Sequence, residues 1–439
     1  MEKFIIQGGV PLMGAVRVGG AKNAGFKQMV AAVLADTKSR ILNLSSISDV
    51  EVTGMVLRKM GINVSQCGER SFCLDPNKIK TFKVPQFSGK KTRGSTIFAG
   101  MLLSKIGKAV IPLPGGCVLG ARPIDRHLQA FKSLGVKLKF AGKYIYLSAK
   151  KLRGAKFKFP KKTHTGTEAM LLASVKATGK TVIENAALEP EIDDLILFLT
   201  KMGAKIKRAY PDKIIIQGVK HLKGAVHQVM PDRNEAVSYA VAGLATKGDI
   251  VLENARQEDL KVFLEKLDEI GACFEISHFG IRFWYEEQLK ATDIKTSPAP
   301  GFMTDWQPLW TILMTQVRGI SNIVERVHNN RFQFVEQLNR MGAKITLYNP
   351  KVADPRRFYE FDQEENDPSF HAAKVIGPTP LKGAKLTITD LRAGATLVIA
   401  ALVTKGRSVL TNIEHIDRGY ENLDGKLRQL GARIKRVKA

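Results

Sequence analysis

The sequence is short of the residues that bind metals and staple small domains. Only four cysteines, Cys67, Cys73, Cys117 and Cys273, occur in 439 residues, without zinc-site spacing or the density of a disulfide framework. Cys67 and Cys73 stand close enough to face each other across a hairpin, but buried or half-buried free thiols are the expectation. The eight histidines form no His-x-His or His-x-x-x-His pair, so no metal and no cofactor is expected. Neither Gly-x-x-x-x-Gly-Lys-Ser/Thr nor Gly-x-Gly-x-x-Gly occurs, which removes P-loop kinases and dinucleotide dehydrogenases. Apolar stretches such as 395–403 are too short to span a bilayer, and the first residues lack the basic and apolar regions of a secretory signal. A cytoplasmic globular protein without a membrane partner is expected.

Acidic residues are also scarce: 41 Asp and Glu stand against 68 Lys and Arg, a net charge of +27. Such an excess suits anionic partners, whether phosphorylated metabolites, nucleic acid or an anionic membrane surface, and does not choose among them. The densest basic stretch, 150–162, alternates with Phe157 and Phe159 as a solvated strand face would. The basic stretch 428–438 carries no stacking signature or DNA-binding motif, so nucleic acid is disfavoured.

What is present is a repeat. An apolar-x-x-apolar-Gly pattern ends at Gly61, Gly135, Gly203, Gly271, Gly342 and Gly431. The apolar pairs, such as Leu199 and Met202, have the i, i+3 spacing of an amphipathic helix that each glycine caps. A strand precedes each such helix (39–44, 109–113, 181–185, 250–254, 322–325 and 408–412), and a short β-rich run follows each glycine. Each copy opens with a second helix, apolar nearly all round and hence buried: 24–34, 95–106, 167–178, 234–246, 306–317 and 393–404. The longest interval between markers runs from Gly342 to Gly431, where 348–374 is polar and turn-rich, a surface excursion. Two α/β domains of three units each are expected, with an active-site cleft between them.

The starts of the buried helices carry the chemistry. They lie beside Lys22 and Asn23, Arg93, Thr165, Asp232 and Arg233, Thr304 and Asp305, and Asp390 and Arg392. Capping accounts for Asp305 or Thr165 taken singly, but a cation is disfavoured at the positive end of a helix dipole, so the cations point to bound anions. Pro114 to Asp125 read Pro-Gly-Gly-Cys-Val-Leu-Gly-Ala-Arg-Pro-Ile-Asp. Glycines that allow close ligand approach, with Arg122 as a fork for carboxylate or phosphate, make Cys117 a candidate acid, base or nucleophile. A small residue in a tight turn explains the cysteine equally well.

These segments carry a resemblance. Gly20-Ala21-Lys22-Asn23-Ala24, the Cys117 loop, Asn185-Ala186-Ala187 with Glu189-Pro190-Glu191, Pro231-Asp232-Arg233 and Pro300-Gly301-Phe302-Met303-Thr304-Asp305 follow in order. Asn330-Arg331-Phe332, Thr389-Asp390-Leu391-Arg392-Ala393 and His415-Ile416-Asp417-Arg418-Gly419-Tyr420 complete the series from end to end. The chain resembles the UDP-N-acetylglucosamine 1-carboxyvinyltransferase family of enolpyruvyl transferases. The resemblance implies two inside-out α/β barrel domains, one over 22–231 and one over 1–21 and 232–439, so that the N-terminal strand joins the second. It implies transfer of the enolpyruvyl group of phosphoenolpyruvate to the 3-hydroxyl of UDP-N-acetylglucosamine with release of phosphate, through a tetrahedral intermediate. That reaction opens peptidoglycan synthesis and so bears on cell wall, cell shape and cell division; a monomer is expected.

By position, the resemblance implies that Lys22, Arg122 and Arg418, with Asn23, hold the phosphate and carboxylate of phosphoenolpyruvate. Arg93 and the run Arg122, Pro123, Ile124 and Asp125, with Arg126 next to it, match nucleotide-sugar contacts, as does the loop Thr163, His164 and Thr165. Asp305 falls at the base near the sugar hydroxyl, and Cys117 at the proton donor that the inhibitor fosfomycin alkylates. Val327 and Arg331 align with nucleotide-sugar and cleft positions, and Asp390 and Arg392 with the phosphoenolpyruvate side of the second domain. The chain departs from the family at Ser48, where a lysine is usual, at Leu188, where an arginine is usual, and at Asn329, where a glutamate is usual. A relative using another acceptor, such as shikimate 3-phosphate, and a non-catalytic polyanion binder remain alternatives. The Pro-Gly-Gly-Cys loop speaks against the first, and Cys117, Asp305, Lys22 and Arg418 together speak against the second.

Overall fold

The computed structural model describes residues 2–76, 79–85, 94–113, 124–209, 211–286, 289–361 and 368–438. The chain divides into two compact units, one holding Gly20 to Met230 in its described part and the other the segment up to Gly19 together with Pro231 onward. Each has its own hydrophobic core.

Three copies of the repeat build each unit. The amphipathic helices Ser48–Lys59, Asp125–Ser133, Pro190–Lys201, Gln257–Ile270, Val335–Arg340 and Leu423–Gln429 all run into their marker glycine. All six marker glycines have positive φ, from 76° at Gly271 to 101° at Gly342, a conformation that costs glycine little and reverses the chain into the next strand. Each copy then forms a small sheet. In the one built around Lys180–Glu184, Val182 pairs in parallel with Lys156 and antiparallel with Ile215, and Ile215 pairs in turn with Lys207. The order of one parallel edge, a central strand, a returning strand and an antiparallel edge recurs in five four-stranded sheets, and the sixth has three named strands.

The returning strand is an element that the glycine markers do not reveal. In the last copy it is the N-terminal strand Glu2–Gln7, which lies antiparallel between Arg407–Thr411 and Arg433–Lys438. In the stretch 150–162 only Lys156–Lys158 is strand, with both lysines exposed and Phe157 half-buried.

The apolar helices occupy the interior of each unit. In one these are Lys22–Ala32, Ser95–Ile106 and His164–Ser174; in the other, Arg233–Ala245, Gln307–Met314 and Leu391–Val403. Helices Ser95–Ile106 and His164–Ser174 pack closely because Gly100 has no side chain: a Cβ there would come within 2.4 Å of the Ala169 carbonyl oxygen. Sheets outside and helices inside make each unit an inside-out α/β barrel. Contrary to the expectation of free thiols, Cys67 and Cys73 form a disulfide, with Cα atoms 5.8 Å apart, Cys67 directly after the strand Asn63–Gln66 and Cys73 within its partner Phe72–Asp75. Cys273 is outside any disulfide among the described residues, its Sγ lying 3.4 Å from Glu286 Oε2, and no described helix is long and apolar enough to cross a membrane.

Candidate active site

Three of the candidate residues meet in the unit that contains the C-terminus. Asp305 precedes the helix Gln307–Met314, whose N-cap residue Trp306 makes no side-chain capping bond, and the described partners of Asp305 are arginines rather than helix N–H groups. One carboxylate oxygen accepts from Arg331 at 2.6 Å and the other from Arg392 at 3.1 Å. Arg331 is fixed further by a hydrogen bond from its Nε to the carbonyl oxygen of Thr304, and Arg392 Nη1 lies 3.0 Å from the Tyr420 hydroxyl, which contacts Ser238 at 2.6 Å. Burial opposes the charge on Arg392, yet Tyr420, Asp305 and Asp232 hold its pKa above the ordinary value.

Asp390 caps the helix Leu391–Val403 by accepting from the backbone N–H groups of Arg392 and Ala393, and Asp232 caps Arg233–Ala245 in the same way. Capping therefore accounts for Asp390 and Asp232 but not for the arginine contacts of Asp305. Val327 donates its N–H to buried Glu325, which also accepts from His328, Thr296 and Thr304. Burial pushes the Glu325 carboxyl above its ordinary value, against Arg331 and these donors. Arg418 lies in the turn that follows Ile413–His415, next to Asp417, which is paired with Arg436.

In the other unit Lys22 and Asn23 form the first turn of Lys22–Ala32, with Lys22 bonded to Asp49 at 3.1 Å. Ser48 opens the helix that carries Asp49, and Leu188 is half-buried. Thr163, rather than Thr165, caps the helix His164–Ser174, while Thr165 accepts or donates to His127 at 2.9 Å. Thr163, His164 and Thr165, expected as a loop, are thus the N-cap and first turn of a helix, and the His127 contact joins that turn to the helix opened by Asp125 and Arg126, with Ile124 before it.

A buried pair ties the helix His164–Ser174 to the Lys22 helix. Lys27 and Glu168 are 3% and 0% exposed and 2.6 Å apart, and His164 lies 3.1 Å from Glu168 and 3.3 Å from Lys27. Burial and Lys27 oppose a charge on His164, but Glu168 and Glu189 outweigh them and its pKa stands above the ordinary value. Sequence reasoning missed Lys27, Glu168, Asp49, Glu325 and Tyr420. The available signal was a lone charge on a helix otherwise apolar all round, as with Lys27 and Glu168, because such a charge needs a partner. Arg93, Cys117, Arg122 and Pro123 lie outside the described residues.

Comparison with known proteins gives this architecture its class. The enolpyruvyl transferase NikO from Streptomyces tendae superposes with a TM-score of 0.86 over 100% of this chain and 99% of its own, at 24% identity. EPSP synthase from Acinetobacter baumannii does so with 0.73 over the whole of both chains, at 18% identity. The fold is thus that of the two-domain α/β enolpyruvyl transferases. Residues 6–427 match the family described as EPSP synthase (3-phosphoshikimate 1-carboxyvinyltransferase), and the chain belongs to that family. Among its relatives, UDP-N-acetylglucosamine 1-carboxyvinyltransferase from Halothermothrix orenii is 42% identical over 438 residues, all of both chains. UDP-N-acetylglucosamine 1-carboxyvinyltransferase 3 from Caldanaerobacter subterraneus subsp. tengcongensis is 39% identical over the same length.

Proposed function

We propose that the protein transfers the enolpyruvyl group of phosphoenolpyruvate to the 3-hydroxyl of UDP-N-acetylglucosamine, releasing phosphate, at the start of peptidoglycan precursor synthesis. The observation that carries this reading is the whole-length likeness, at 42% identity, to a relative named for that activity. The reaction would occur in the cytoplasm and serve wall growth, cell shape and division.

The chemistry is addition followed by elimination. The sugar 3-hydroxyl oxygen bonds to C2 of phosphoenolpyruvate while its proton passes to Asp305 and C3 takes a proton from Cys117. The Cys117 thiolate left by the addition then takes a proton back from C3 as the C2–O bond to phosphate breaks, which restores the double bond and releases phosphate. Asp305 suits the role of base because two arginines fix both of its oxygens, so one geometry is prepared before substrate arrives. Lys22, Arg122 and Arg418, with Asn23, neutralise the phosphate and carboxylate of phosphoenolpyruvate, and Asp390 and Arg392 act on the same side. Arg93, Pro123, Ile124, Asp125, Arg126, Thr163, His164, Thr165, Val327 and Arg331 serve the nucleotide sugar.

Phosphate release from phosphoenolpyruvate tests the reading. Release that requires UDP-N-acetylglucosamine and does not occur with shikimate 3-phosphate is expected; the reverse dependence would overturn it.

A further inference from the structure

The link between the paired strands Lys344–Tyr348 and Ala372–Gly377 is unlike its counterparts, which are short turns such as 278–279. Within it Asp354 caps the short helix Pro355–Phe358, and Tyr359 and His371, each 2% exposed, turn inward. The Tyr359 ring lies 5.0 Å from that of His371, and Phe361 lies 4.9 Å from Tyr359 and 5.1 Å from His371. A polar, turn-rich arm has thus placed a histidine in an aromatic cluster.

His371 grips its surroundings on three sides. Its backbone N–H and Nδ1 meet Asn349 Oδ1 at 2.9 and 3.1 Å, its carbonyl oxygen accepts from the Glu325 N–H at 2.8 Å, and Nε2 lies 2.8 Å from Asn329 Oδ1. A second strap lies alongside. Glu360 N–H donates to the Arg326 carbonyl oxygen at 2.7 Å, and Arg326 Nε donates to the Phe358 carbonyl oxygen at 2.8 Å with its guanidinium 4.7 Å from the Phe358 ring. The arm therefore holds residues 325, 326 and 329, in the stretch that ends at Arg331 and its contact with Asp305.

We propose that the inserted arm is a positioning element for the loop 325–331, with the His371–Asn329 hydrogen bond as its decisive contact. This rests on the reading above, in which Val327 and Arg331 face the nucleotide sugar. A loop already held in one conformation loses less entropy when substrate binds, so releasing it weakens nucleotide-sugar binding, while the chemical step changes little because Arg331 keeps its own anchor on the Thr304 carbonyl oxygen.

Two substitutions in the full chain test the brace. His371→Phe keeps a ring in the aromatic cluster but removes both ring nitrogens, and Asn329→Ala removes the side-chain amide that Nε2 meets. Each is expected to raise KM for UDP-N-acetylglucosamine roughly three- to tenfold, the reach of one net hydrogen bond, with kcat and the KM for phosphoenolpyruvate within about twofold. The double variant is expected to raise KM no further than His371→Phe alone, and amide hydrogen exchange in 325–331 is expected to quicken in all three. Unchanged KM and exchange in Asn329→Ala, effects that multiply in the double variant, or an equal loss for both substrates would overturn the proposal. Should His371→Phe fail to fold, Asn329→Ala alone decides. If the wild type shows no phosphate release that depends on UDP-N-acetylglucosamine, the functional reading fails, and amide exchange still judges the brace.

Discussion

Asp305 stands just ahead of the helix Gln307–Met314, its two oxygens shared between Arg331 at 2.6 Å and Arg392 at 3.1 Å. An acid placed there for capping would accept from backbone N–H groups, as Asp390 and Asp232 do. Asp305→Asn preserves size but supplies an NH2 where one arginine needs an acceptor, and it cannot take the hydroxyl proton. Turnover is expected to fall about 10²- to 10⁴-fold, the usual worth of a general base, while calorimetry still detects nucleotide-sugar binding. Near wild-type turnover would remove Asp305 from the mechanism.

The buried Lys27–Glu168 pair is expected to behave as a unit. Lys27→Met alone leaves the Glu168 carboxylate buried without its lysine partner and is expected to cost about 3–5 kcal/mol in urea unfolding. Adding Glu168→Leu is expected to recover most of that loss. Losses that add in the double variant would mean that the pair is not coupled.

His127 gives a pH dependence with a definite sign. Burial, aided by Arg126 and opposed by Glu168 and a backbone contact at Ile124, lowers its pKa from 6.5 to about 4. Between those values the unfolded chain binds a proton that the folded chain refuses. The stability due to neutral His127 is therefore complete above pH 6.5 and is lost as pH falls toward 4, by about 3 kcal/mol at 1.36 kcal/mol per unit. The difference in unfolding free energy between wild type and His127→Gln is expected to shrink over that window. Parallel pH profiles for the two proteins would contradict the assignment.

Much of the fold was legible because one local rule recurs. A helix ending in a glycine at positive φ leaves an apolar-x-x-apolar-Gly trace, and all six traces correspond to helices. The returning strands left no such trace, and that of the last copy lies at the opposite end of the chain, in Glu2–Gln7. Among the candidate residues, Asp305, Arg331 and Arg392 were each visible from the motifs that contain them, but their mutual contact spans 87 residues of chain and depends on tertiary packing. Lys27 and Glu168 were hidden for a related reason: each reads as an isolated charge until two helices are packed together.

Cys117 provides a chemical test independent of stability. Cys117 is framed by Gly115, Gly116 and Gly120 in the sequence, with Arg122 five residues on, and a thiol that a cation approaches ionises readily and reacts with small anionic electrophiles. Fosfomycin is expected to add covalently to Cys117, faster with nucleotide sugar present, and Cys117→Asp is expected to abolish labelling while leaving some activity. Mass spectrometry of the digested protein locates the adduct. Its appearance on Cys273 instead, or its absence from active enzyme, would show that the loop is not the reactive site.

The most direct test of the central claim is a competition in one tube. Phosphoenolpyruvate is supplied with equal concentrations of UDP-N-acetylglucosamine and shikimate 3-phosphate, and the products are identified by mass spectrometry. The account predicts that only the nucleotide sugar gains an enolpyruvyl group, with one phosphate released for each product formed. Enolpyruvyl shikimate 3-phosphate as the main product, or no enolpyruvyl product from protein shown to be folded, would contradict it.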